Sequence, residues 1–195
     1  MDKKAIQEER MRSYFITAAM ELIRAEGIAV VSTRNVAERA GYSYATLYNY
    51  FKDIRDLIFS CAEGFMAECR EFVEDEAKQS KAGADRIKAI SQGYAKFFIQ
   101  YPGIFELLYF HKPSDMATKR SDLENIGSLF DSFTDSDWKV FQAEEGRNET
   151  DAANAREIHK LALHGLLMLF LNRRTSVEYK RLTEKIGHLA QHMLR

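Results

Sequence analysis

The 195-residue chain carries 28 Lys and Arg against 29 Asp and Glu, a formal charge of −1, and 46% of its residues are hydrophobic. That balance excludes a disordered chain and a polycation that coats nucleic acid or membranes, while leaving room for a local basic or dipolar site. Two prolines and ten glycines leave few places to interrupt a helix. Cys61 and Cys69 lie eight residues apart in one expected helix, about 12 Å along its axis, too far for a disulfide. They read as buried thiols in a reducing cytoplasm. The chain opens with charged residues rather than an apolar leader, and its longest apolar run, Leu166 to Leu171, is far short of the ~20 residues a bilayer requires. A soluble, cytoplasmic protein is expected.

Residues 9–24 place Met11, Tyr14, Phe15, Ala18, Ala19 and Leu22 at helical spacing, and Gly27 stands where a glycine ends a helix. Ser32 offers an N-cap hydroxyl to a short second helix running to about Ala40, stopped by Gly41. Ser43 caps a third helix, Tyr44 to about Tyr50, and Asp53 caps a long fourth one with Leu57, Ile58, Cys61, Phe65 and Met66 on its apolar side. Further on, Ala89, Ile90, Gly93, Tyr94, Phe97, Phe98 and Tyr101 form one stripe, cut by Pro102-Gly103. A short helix follows over 105–110. Residues 114–121 read as a loop, and another helix is expected over about 122–143. The polar run from Glu144 to Asp151 reads as a linker before two last helices, at about 152–173 and 176–194. The reading is all-α, with about nine helices.

Residues 32–57, STRNVAERAGYSYATLYNYFKDIRDL, have the spacing of a helix-turn-helix. Ala37 is small where two helices cross, Gly41 allows the tight turn, Leu47 inserts into the core, and Val36 and Ala40 face it. A helix of about two turns cannot hold itself together in water, so the first helix must cover it. Its N-terminus then points outward, the way such motifs reach base edges in the major groove. Thr33 and Arg34 open the second helix, and Ser43, Tyr44 and Thr46 the third. Both starts present free N–H groups suited to a phosphate oxygen. Tyr48 and Tyr50 add phenolic donors and Lys52 a cation. Four tyrosines in nine residues (Tyr42, Tyr44, Tyr48 and Tyr50) exceed what so short a helix needs for packing. On spacing alone, a small bundle with an aromatic face fits as well.

The stretch resembles the TetR family of bacterial transcriptional regulators, whose pattern runs close to T-x-x-x-IA-x-x-AGVS-x-GTLY-x-YF-x-SK-x-x-L. The resemblance covers about the first 60 residues, with A-G-Y-S and T-L-Y-N-Y-F as its core. It implies a helix-turn-helix DNA-binding domain over residues 1–55 and a ligand-binding and dimerisation domain over 56–195. By resemblance, Thr33, Arg34, Tyr44, Ala45 and Thr46 contact bases or phosphates, while Ser43, Tyr48, Tyr50 and Lys52 position the backbone. Three residues depart from the pattern. Ala45 replaces a glycine, Tyr42 a small aliphatic residue, and Ile54 a lysine that neutralises a phosphate; Arg55 or Lys52 stands ready to supply that charge instead.

Residues 61–195 contain no phosphate loop, nucleophile elbow or zinc-ligand set, so no enzyme is expected. The segment from Tyr94 to Phe110 resembles an aromatic element around a proline common in the C-terminal domains of the family. The resemblance implies a small-molecule effector, apolar or amphipathic, against Phe97, Phe98, Tyr101, Phe105, Tyr109, Phe130, Phe133 and Trp138. An aromatic stripe at this spacing equally fits plain core. The last two helices resemble the pair that forms a four-helix bundle across a two-fold axis, which assigns Leu163, Leu167, Phe170, Leu182, Ile186, Leu189 and Met193 to a homodimer interface; a merely buried internal helix pair is the alternative. His188 and His192 share a face without an acidic or Cys partner, so no metal is expected, and no cofactor. The implied function is a sequence-specific regulator, a repressor released from its double-stranded DNA operator by the effector. The alternative is an effector-independent architectural or occlusion protein of the same fold.

Overall fold

The computed structural model describes residues 2–111, 126–175 and 178–193, with side chains to residue 189. Among the described residues it holds nine α-helices and no strand. These are α1 (Lys3–Glu26), α2 (Thr33–Ala40), α3 (Tyr44–Leu47), α4 (Ile54–Ala77), α5 (Ala84–Gln100), α6 (Pro102–Tyr109), α7 (Leu129–Glu145), α8 (Glu149–Leu171) and α9 (Tyr179–Met193). A single 3-10 turn, Ile28–Val30, follows α1. None of these helices is long and apolar enough to cross a membrane.

The short-range signals in the sequence set most helix ends. Ser32 Oγ accepts from the Asn35 N–H at 3.2 Å, and Ser43 Oγ from the Thr46 N–H at 3.2 Å, so each takes one of the orphan donors at a helix start. Gly41 takes the left-handed conformation, φ 76°, that closes α2. Asp53 Oδ1 accepts from the Arg55 and Asp56 N–H groups at 2.9 and 3.1 Å and opens α4. Several boundaries differ from expectation, among them the start of α6, which Pro102 opens three residues early. Helix α1 begins six residues earlier, because Asp2 caps it through the Lys4 N–H. Helix α3 keeps α-geometry only to Leu47 and continues to Phe51 as a hydrogen-bonded turn. The expected linker shrinks to a turn at Gly146, since Asn148 caps α8 through the Asp151 N–H at 2.8 Å. The loop expected at 114–121 lies outside the described residues.

The chain divides into two compact units. The first comprises Met1–Ala67 with Tyr101–Ile126, the second Glu68–Gln100 with Gly127–Arg195. Helix α4 is unbroken between Ile54 and Ala77 and is counted in both. In the first unit, Phe15, Ala19, Ile23, Val36, Leu47, Phe51 and Leu57 form the core, and α1 packs on both α2 and α6. The approach of α6 to the end of α1 is close enough that a Cβ on Gly103 would stand 2.4 Å from the Ile23 carbonyl oxygen, so only glycine fits. In the second unit α5 packs against α7, α8 and α9. Ile87, Ile90, Tyr94, Phe98, Phe130, Phe141, Leu163 and Leu167 fill its interior.

Candidate nucleic-acid interface

The first unit presents a polar and aromatic face built on α2 and α3. Leu47 and Val36 are fully buried, which fixes both helices by their apolar sides and leaves the other sides to solvent. Tyr44 is 64% exposed and Tyr48 53% exposed. Arg34, Ser43, Ala45 and Lys52 are exposed as well, while Thr33, Thr46 and Tyr50 are half-buried. The Thr33 hydroxyl lies 3.4 Å from the Tyr48 hydroxyl, so residues 15 apart in sequence meet on one surface. Ser43 and Thr46 share a hydroxyl contact of 2.9 Å, which ties the Thr46 side chain to the cap.

The four tyrosines divide by role. Tyr42 stacks on Tyr14 at 6.2 Å and leans on Phe15 at 5.6 Å, and Tyr50 packs 6.2 Å from Phe15. These two extend the core under the motif, and Tyr44 and Tyr48 point away from it. The departure at Tyr42 is thus a packing substitution: the larger ring covers α1 beside the turn. Ile54 is half-buried at the start of α4. Arg55 is drawn onto Asp53, with Nη2 2.6 Å from Oδ2, and this bond holds the Asp53 carboxyl below the usual carboxylate range. Lys52 is exposed at this helix start as well.

Sequence reasoning overlooked Arg12. From α1, its guanidinium lies over the Phe51 ring, 4.2 Å from the centroid, and Nη1 donates to the Tyr50 carbonyl. Its one sequence cue was a cation among the apolar positions of α1.

The second unit holds an aromatic core centred on Tyr94. Its ring meets Phe98 at 4.8 Å, Phe130 at 5.1 Å, Phe133 at 6.1 Å and His164 at 5.6 Å, all edge-on. Such edge-to-face pairs set positive ring edges against negative faces. Of the eight residues assigned to an effector, Phe97, Phe98, Phe130, Phe133 and Trp138 are buried here, whereas Tyr101, Phe105 and Tyr109 belong to the first unit. Phe105 is buried there, and Tyr101 and Tyr109 are half-buried. Trp138 also borders a cleft of about 310 Å³ between α7 and α8, with Asp131, Asp135, Arg156 and Lys160 along it.

Two histidines, the buried His159 and the half-buried His164, give this core its polar contacts. His164 Nδ1 faces the Lys160 carbonyl at 2.8 Å and must carry the proton, so Nε2 accepts from the Tyr94 hydroxyl at 3.1 Å. His159 has the opposite tautomer. Ser91 Oγ donates to the Ile87 carbonyl at 2.7 Å and therefore accepts from His159 Nε2, at 2.9 Å. That leaves His159 Nδ1 buried without a hydrogen-bond partner among the described residues, and the Trp138 indole N–H is in the same position. Burial pushes the His159 imidazole down to about 4 and also lowers His164. Burial likewise pushes the thiols of Cys61 and Cys69 up to about 12. Among the described residues, no group of three or more His, Cys, Asp or Glu could hold a metal ion.

The residues assigned to an interface on α8 and α9 differ in their burial. Leu163, Leu167, Leu182 and Ile186 are at most 1% exposed within a single chain, because α5 and its neighbours cover them. Phe170 and Leu189 are half-buried, and the Met193 side chain lies outside the described residues. The outward stripe of α8 is Ile158, Leu161, Met168 and Leu169, exposed by 49%, 63%, 42% and 43%.

A trihelical head with a two-helix motif turned to solvent, followed by an all-helical second unit, is a helix-turn-helix architecture. Residues 15–61 match the family described as bacterial regulatory proteins, tetR family. Solved structures repeat the fold over nearly the whole chain. A Rhodococcus sp. RHA1 protein of unknown function superposes with a TM-score of 0.77 at 20% identity, covering 95% of this chain and 94% of its own. A TetR transcriptional regulator from the same organism gives 0.61 at 18%, covering 95% and 97%. The transcriptional regulator FadR from Bacillus subtilis, solved in complex with stearoyl-CoA, gives 0.71 at 15%, covering 93% and 97%.

Proposed function

We propose that the chain is a homodimeric transcriptional repressor that reads DNA through α3 and is released by an amphipathic ligand. The observation that carries this reading is the outward set Thr33, Arg34, Tyr44, Ala45, Tyr48 and Lys52, gathered on one face of a helix-turn-helix. Tyr44 and Ala45, at the start of α3, are the residues to meet base edges in the major groove; Thr33, Tyr48 and Lys52 suit phosphates. Residues 1–56 carry 9 Lys and Arg against 8 Asp and Glu, a net +1. With so little charge, affinity rests on placed groups and on two heads per dimer. The functional division follows the same line, with DNA recognition in residues 1–55 and effector response and dimerisation in 56–195.

The stripe Ile158, Leu161, Met168 and Leu169 suits pairing with a second copy. Gly165 lies in it with open space around its Cβ position, so a partner helix can approach closely. The stearoyl-CoA held by the Bacillus subtilis FadR makes long-chain acyl thioesters the first effectors to test. The close packing around Tyr94 favours a second reading, an effector-independent DNA-binding protein. A regulator of either kind works in the cytoplasm, where Cys61 and Cys69 stay reduced.

Selection of duplexes from a randomised library by the purified chain tests the proposal. Enrichment of a two-fold symmetric sequence, bound by a dimer and released by an acyl thioester, is expected. Enrichment without release by any amphipathic compound supports the effector-independent reading, and failure to enrich any sequence overturns both.

A further inference from the structure

We infer that Arg12 of α1 is a positioning residue for DNA recognition: it fixes the turn that carries Tyr48, Tyr50 and Lys52 without itself touching DNA. The inference rests on the regulator reading above. After Leu47 the backbone leaves α-geometry. Asn49 N–H and Tyr50 N–H bond three residues back, to the Thr46 and Leu47 carbonyls, Phe51 N–H shares the Leu47 carbonyl to close the turn, and α4 begins only at Ile54. The Tyr50 carbonyl therefore belongs to neither helix ladder, and a partly buried carbonyl without a donor is costly.

Arg12 meets this need twice over. Its Nη1 donates to the Tyr50 carbonyl, and its planar guanidinium covers the Phe51 ring. One turn further along α1, Phe15 packs on Tyr50 and Phe51 at 6.2 and 6.4 Å. The turn is thus clamped by an apolar and a polar residue of the same helix, with Phe51 itself 1% exposed. Tyr48 and Lys52 flank this clamp on the solvent side. Loosening it lets their hydroxyl and ammonium wander relative to the Thr33 end of the face.

The test compares wild type with Arg12→Met, which keeps the apolar stem, and Arg12→Lys, which keeps the charge. The probe is a duplex recovered by the wild-type chain from a randomised library. Both variants are expected to bind it about tenfold more weakly, as loss of a charged hydrogen bond predicts. The slope of log K against log salt should stay at the wild-type value, because no phosphate contact is lost. Tyr48→Phe should cost much less in the Arg12→Met background than in wild type. Rescue by Arg12→Lys, or a slope reduced by ~0.9 in Arg12→Met, would show a direct phosphate contact and overturn the inference. Equal binding by all three proteins overturns it too. If Arg12→Met does not fold, Arg12→Lys carries the comparison. Failure of the wild-type chain to recover any duplex sinks the regulator reading and this inference with it; wild-type binding unchanged in the variants sinks only the inference.

Discussion

Tyr44 and Tyr48 of the first unit stand mostly in solvent, whereas Tyr94 of the second is sealed from it and ringed by three phenylalanines and a histidine. The residue type is the same and its use is opposite. In the first unit a small core, set by Phe15, Val36, Leu47 and Phe51, holds the phenols outward into solvent. In the second the ring is the core, and its hydroxyl is satisfied internally by His164. Under the proposed function, stability and recognition fall to separate sets of aromatic residues.

The strongest way to break that contrast is Tyr94→Ala. Removing a fully buried ring should cost about 3–5 kcal/mol, read as a fall in thermal or denaturant midpoint. A loss below that of an exposed tyrosine would end the distinction. Next comes pH. The unfolded His159 titrates near 6.5 and the folded one near 4, so the folded state resists protonation. Stability is therefore fully present above pH 6.5 and falls as pH drops from there towards 4, by about 3 kcal/mol in all. His159→Gln, whose amide can still donate to Ser91, should flatten this limb of a stability–pH curve. An unaltered curve would mean that other groups govern acid unfolding.

In the first unit the costly positions are small residues rather than rings. Gly103→Ala forces a methyl onto the Ile23 carbonyl and should cost about 1–3 kcal/mol in chemical denaturation. A neutral result would mean that α6 shifts freely on α1. The smallest stability effect belongs to Tyr44→Ala, expected within about 0.5 kcal/mol of wild type while DNA affinity falls. A large stability loss there would move Tyr44 from the recognition set to the core.

Much of this was legible because capping and turn chemistry are local. Ser32, Gly41, Ser43 and Asp53 act on backbone atoms two to four residues away, and their spacing survives in the linear pattern. What the pattern could not convey is direction. Helix α8 is apolar on nearly every side, so the leucines facing α5 and those facing solvent look alike in sequence; Leu163 is buried and Leu161 exposed, and the linear pattern does not separate them. The eight aromatic residues assigned to one site lie in two units because Pro102 starts a helix that packs on α1. Arg12 escaped notice because its partners, Tyr50 and Phe51, are 38 and 39 residues away.

The opposite tautomers of His159 and His164 have a spectroscopic consequence. Protonated and bare imidazole nitrogens resonate far apart, and the two rings carry their protons on different atoms. In a sample labelled with nitrogen-15 at histidine, these two residues should give mirror-image signal patterns. A compound that enters the core and takes over the Ser91 or Tyr94 hydroxyl would perturb one pattern and leave the other. The molecule thus carries its own pair of reporters, His159 and His164 five residues apart on α8, for locating a bound compound without adding a probe.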